Sequence, residues 1–211
     1  MSVRGRLTGS FVFAVTMALF EPAVVVYLRK LWELGQIDVA NASIGNPLIF
    51  TEIVREAASM AMIATVAVLA GRRGLERLAY GAIIFGIWDI LYYVFLHFLM
   101  GWPNSFLDWD ILFLIPRPWI GPVLAPCLVA LALVVCGLLV VRREDRLPVR
   151  PRAASWLLAI AGGVMVVVSF LLPTVPQTPQ SDPSGFSWIL FGAGLALGLA
   201  GFVHASARRP R

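Results

Sequence analysis

The sequence predicts an all-α membrane protein that crosses the bilayer six times. Three observations carry the prediction. The 211 residues are 59% hydrophobic and only 14% charged, whereas an ordinary soluble domain has about a quarter of its residues charged. Six apolar stretches reach the roughly 20 residues that a helix needs to cross hydrocarbon. The arginines are distributed over the connecting segments as the positive-inside rule expects.

The stretches cover roughly 7–28, 49–70, 78–100, 119–141, 154–172 and 186–205. Arg4 and Arg6 precede the first, as in a signal peptide. The run continues through Val24, Val25, Val26 and Tyr27 with no small-residue cleavage site, so it reads as a retained span. Residues 29–48 contain L-W-E-L-G-Q-I-D-V, a segment suited to the interface with Trp32 as an anchor. Residues 101–118 are more apolar than a connecting loop needs. Their I-L-F-L-I core is too short to span, which predicts a re-entrant or interfacial segment capping the bundle between helices 3 and 4. Pro116, Pro118, Pro122 and Pro126 then shape the approach to span 4. Within that span lie the only cysteines, Cys127 and Cys136. Nine helical residues separate them by about half a rotation and roughly 13 Å, so they cannot bridge and read as packing residues. Spans 4, 5 and 6 are nearly free of ionisable groups, and Gly194 and Gly198 have the small-x-x-x-small spacing that permits close helix contact. The segment R-R-E-D-R-L-P-V-R-P-R reads as a solvated linker, and P-T-V-P-Q-T-P-Q-S-D-P-S-G as an extended, mobile one. Residues 1–211 form a single six-helix domain without internal repeats: 1–141 is the half with the polar groups, and 153–211 supplies supporting helices.

Orientation follows from the arginines. With the N-terminus cytoplasmic, thirteen arginines fall on inner segments: 4, 6, 72, 73, 77, 142, 143, 146, 150, 152, 208, 209 and 211. The outer segments hold three cations, Arg29, Lys30 and Arg117. This predicts an N-in, C-in protein. The +5 net charge and pI near 9.9 then reflect one membrane face. No nucleic-acid-binding stripe is present.

On that orientation the intramembrane polar residues collect in the outer half. Span 1 contributes Glu21, next to Pro22, which leaves a helical carbonyl free. Glu52, Arg55 and Glu56 occupy the first turns of span 2, with Glu52 and Arg55 in reach at i,i+3. Span 3 reads G-I-W-D-I-L-Y-Y-V-F-L-H over 86–97. It places Asp89 near or just outside the midplane, with Trp88, Tyr92, Tyr93 and His97 around and above it. Asp108 and Asp110 follow in the next segment. Less specific readings exist for several of these. Glu52 and Glu56 suit a helix N-terminus, the tyrosines suit an aromatic belt, His97 suits the interface, and Trp102, Trp109 and Trp119 suit outer anchors. Asp89 has no such reading, because a carboxylate at that depth costs about 3 kcal/mol on insertion scales.

The inventory excludes several functions. Lys30 is the only lysine and lies at a span end, unsuited to a buried retinal Schiff base. His97 and His204 fall at opposite faces, so they cannot share a haem. No paired histidines or C-x-x-C motif support zinc or di-iron, and no Walker loop supports a nucleotide. Ser59 lacks a nucleophile signature. Carboxylate chemistry remains. Glu52, Glu56 and Asp89 are candidate oxygen ligands for a divalent cation; Asp89, Glu56, Glu52 and Glu21 are candidate general acids and bases. Trp88, Tyr92, Tyr93, His97, Arg55 and Asp110 are candidate ligand contacts.

The motifs W-D-x-x-Y-Y (88–93), G-W-P (101–103) and W-D-I-L-F-L-I-P-R-P-W-I-G-P-V-L-A-P (109–126) resemble those of uncharacterised six-span bacterial inner-membrane proteins. The resemblance covers about 40 residues well. It implies a bacterial inner-membrane location and no particular activity. Three functions are compatible with these features: an intramembrane enzyme modifying a lipid or isoprenoid, an accessory or assembly subunit of a larger membrane complex, and a small ion or solute carrier. Membrane lipid is the expected partner, with other membrane subunits under the second reading.

Overall fold

A computed structural model of the chain describes residues 2–33, 47–115, 117–143, 149, 151–173 and 185–207. These residues form an all-α membrane fold whose six long helices are each apolar enough to span a bilayer. They are α1 (Val3–Glu33), α2 (Pro47–Ala70), α3 (Gly74–Met100), α4 (Leu124–Arg143), α5 (Ala153–Leu171) and α6 (Trp188–Ser206). Most of residues 29–48, the Trp32 side chain and much of both the arginine-rich and proline-rich linkers lie outside the described residues.

The segment expected to be re-entrant or interfacial forms an antiparallel hairpin of β1 (Trp109–Phe113) and β2 (Trp119–Pro122). It takes residues 119–122 from the span expected over 119–141. Asp110 faces Gly121 and Ile111 faces Ile120, and a bulge precedes the Phe113–Trp119 pair. Hydrogen bonds from Val123 N to Asp108 O (2.9 Å) and from Leu124 N to Phe106 O (2.8 Å) tie the hairpin to the start of α4. We call this end of the bundle the hairpin end and the opposite one, where α1 starts and α6 stops, the terminal end.

Helix α3 is central and packs against α1, α2 and α4. Its close approach to α4 depends on glycine. A Cβ on Gly137 would lie 2.7 Å from the Ala79 carbonyl oxygen, and one on Gly86 would strike the Ala130 carbonyl. Helices α5 and α6 pair in the same way: a Cβ on Gly162 would lie 2.5 Å from both Gly194 O and Gly198 N. Lipid tails are as apolar as leucine, so close backbone approach is a main source of attraction between such helices. Gly101, at φ 72°, ends α3 by donating its N–H to His97 O.

Three apolar clusters set the layers. Ala79, Tyr80, Ile83, Val140, Val141, Val149 and Ala205 fill the terminal end. Ala14, Met17, Ala18, Ile63, Ile84 and Trp88 fill the middle of α1–α3, with Phe113 of the hairpin packed on them. Ala125, Phe170 and Phe191 join α4, α5 and α6 beneath Trp119 and Phe186. Phe113 stacks on Phe85, and Trp119 stacks on Phe170. The hairpin is therefore anchored on both sides by aromatic contacts.

Candidate functional site

At the hairpin end α1 presents Glu21, which is 2% exposed. Such a carboxylate needs a counter-charge, and Arg55 of α2 supplies it. Arg55 pairs with Glu21 across the helix interface and with Glu52 on its own helix. One turn on, the Ser59 hydroxyl donates to Glu21. The i,i+3 relation of Glu52 and Arg55 is legible in the sequence; their link to Glu21 is a product of folding.

Glu56 has a different partner. The backbone N–H of Leu114, just after β1, points at both of its oxygens (3.1 and 3.0 Å). Strand ends carry unpaired backbone donors, and at membrane depth these must be satisfied by the protein. Glu56 does this for the hairpin.

Asp110 of β1 forms the next group. Its carboxylate pairs with Arg29 at 3.2 Å and accepts hydrogen bonds from the Tyr93 hydroxyl and the Ile111 N–H. Burial pushes its pKa up to about 6 from the ordinary 3.8, against the pull of Arg29 and these hydrogen bonds. The Arg29 guanidinium also lies over the Trp102 ring, 3.6 Å from its centroid, in cation–π contact. Tyr93 touches Trp102 and, edge to face, Tyr92.

Asp89 sits within this group on α3, coupled electrostatically to Asp110 of the hairpin and Cys127 of α4. Its Oδ2 is sealed from solvent and has no hydrogen-bond partner. Trp88 is buried in the middle cluster, edge-on to Phe85, with its indole N–H also unpartnered.

The predicted residues thus resolve into two adjoining sets. Glu21, Glu52, Arg55 and Glu56 tie α1, α2 and the hairpin together. Asp89, Tyr93 and Asp110 lie between α3, α4 and the hairpin, and Tyr92 interacts electrostatically with both Arg55 and Asp110. His97 joins neither: its Nδ1 is 2.8 Å from Pro103 O at an exposed turn. Glu52, Glu56 and Asp89, the candidate ligands for a divalent cation, are held in different ways. Glu52 is held by Arg55, Glu56 by Leu114 and Asp89 by neither, and no group of three His, Cys, Asp or Glu suited to a metal occurs among the described residues.

Arg29 and Trp102 were not singled out as site residues by their sequence positions. Arg29 counts as a loop charge and Trp102 as a belt anchor, and 81 residues separate Arg29 from Asp110. A second polar cluster was also hidden. At the terminal end Arg6 and Glu76, 7% and 3% exposed, pair at 2.5 Å. Arg6 also donates to Ala70 O, and the Arg72 N–H donates to Glu76. The Ala14, Met17, Ala18, Ile63 and Ile84 layer separates this cluster from the hairpin-end site.

Compared with protein-family models, curated proteins and solved structures, the chain matches none.

Proposed function

We propose that this chain is a multi-pass protein of the bacterial inner membrane, with both termini cytoplasmic. Its hairpin-end site, on the outer side, holds an amphipathic lipid or isoprenoid through Asp89. The observation that carries the reading is the Asp89 Oδ2, buried without a partner. An unmet buried polar group costs about 1–3 kcal/mol, more when charged. Glu21, Glu52, Glu56 and Asp110 all have partners within the protein. Among the described residues, Asp89 is the acid with a buried oxygen left to receive a donor from a guest. Ionisable groups inside a membrane mark functional sites by default.

The same placement supports an acid–base role. Beside Tyr92, Tyr93 and Asp110, Asp89 can accept a proton from a bound molecule and return it, as isomerisation or hydration of an isoprenoid requires. Glu21, Glu52 and Glu56 then act as framework around it. The apolar layer between the two polar clusters argues against a carrier, which needs polar groups on both sides of its guest.

Purification of wild type, Asp89→Asn and Asp89→Leu in mild detergent, with mass spectrometry of co-purifying lipids, tests the reading. The expected result is one retained lipid species in wild type, less in Asp89→Asn and none in Asp89→Leu. Equal retention in all three overturns it. Stoichiometric co-purification of another chain without retained lipid would favour the accessory-subunit reading.

A further inference from the structure

Arg29 is held by two different kinds of contact. Its guanidinium lies face-on to the Trp102 ring and is ion-paired with Asp110, whose carboxylate is also bound by Tyr93. An aromatic face beside a carboxylate, with a second aromatic ring 6.2 Å from the first, is the combination that recognises an ammonium group. Here the protein's own cation fills it. The neighbouring Asp89 has Asp110, a charge of the same sign, acting on it, and an oxygen without a donor. Two carboxylates that act on one another thus share a single guanidinium, which is paired, of these two, with Asp110 alone, an arrangement suited to a further cation with N–H donors.

We infer that Trp102, Tyr93, Asp110 and Asp89 form a receptor for the ammonium headgroup of an amphiphile, and that Arg29 occupies it in the guest-free protein. This rests on the proposed guest site at Asp89 and adds the chemistry of the guest. A primary ammonium has three N–H donors, enough to meet Asp110 and the open Asp89 Oδ2 together. Its entry displaces Arg29 from the Trp102 face. Arg29 lies near the end of a helix of which it forms the last but one turn, so its long side chain can swing away without disturbing the bundle.

The test uses the full-length protein in nanodiscs containing phosphatidylethanolamine or phosphatidylglycerol, with the lipid retained after detergent extraction counted by mass spectrometry. Wild type is expected to retain phosphatidylethanolamine in preference to phosphatidylglycerol. Arg29→Gln should raise that retention about tenfold, the gain from removing a competitor that holds the site about nine-tenths of the time. Arg29→Lys, which restores a competing cation, should return it toward wild type. Asp110→Asn and Trp102→Leu should lower it, and these two keep the test decisive if Arg29→Gln does not fold. Loss of binding in Arg29→Gln would mean that Arg29 contacts the guest, and would overturn the inference. Preference for phosphatidylglycerol would also overturn it. If Asp89→Leu abolishes retention while Arg29→Gln leaves it unchanged, the guest site stands and the displacement of Arg29 falls. If Asp89→Leu changes nothing, the guest site itself falls.

Discussion

Arg55 of α2 is ion-paired with Glu21 of α1, and the carboxylate is almost wholly enclosed at 2% exposure. Removing one member of a buried pair leaves an uncompensated charge, which usually costs more than the pair contributes. Arg55→Met should therefore destabilise the protein by about 3 kcal/mol, the lower end of the usual range because Arg55 is 24% exposed. The double variant Glu21→Gln/Arg55→Met should recover part of the loss. Unfolding curves in detergent would show the difference; equal losses in the two proteins would mean that the pair is not coupled.

The α5–α6 contact makes a second prediction. Gly162→Ala should cost about 1–3 kcal/mol, because its Cβ would meet the backbone of Gly194 and Gly198 at 2.5 Å. Gly198→Ala should stay within about 1 kcal/mol of wild type, since nothing lies within 4 Å of its own Cβ direction. Thermal stability of the two variants provides the comparison, and the reverse order would refute this packing.

Asp110 should leave a signature in pH dependence. Its folded-state pKa of about 6 is above the ordinary 3.8, so the folded protein binds its proton more tightly than the unfolded chain does. The resulting stabilisation is full below 3.8 and is lost as the pH rises through about 6. Asp110→Asn should remove that slope. The stability difference between wild type and variant should therefore shift in favour of wild type as the pH falls from 7 to 4.

Membrane orientation can be tested directly. Reporter fusions or cysteine labelling should place the residues 101–108 segment outside and the Arg72–Arg73 turn in the cytoplasm. Labelling with the opposite sidedness would put the hairpin-end site on the cytoplasmic leaflet.

The helices were legible because bilayer crossing imposes length and composition that few other structures share. The hairpin was not. Residues 109–122 show no alternation of polar and apolar side chains, because the successive residues Leu112 and Phe113 both pack on apolar clusters, Leu112 on that of α4–α6 and Phe113 on that of α1–α3. A strand covered on both faces resembles any short apolar run. Within the site, Glu52–Arg55 was visible as a local pair and Asp89 as an isolated charge in hydrocarbon. The partners of Glu21, Glu56 and Asp110 come from other elements, so their sequence positions reveal the charges without the pairings. Gly194 and Gly198 were recognisable as a contact stripe, whereas Gly162, the residue they receive, became evident only in the fold.

The pairing of Glu56 with Leu114 spans 58 residues. A ribosome threading this protein into a membrane therefore releases α2 well before its acceptor can be satisfied, and α3 and β1 must follow before the bond closes. Nascent chains truncated before Leu114 should be recognised by quality-control proteases, while those extending through α4 should escape them. The hairpin thus acts as a late latch on segments already inserted.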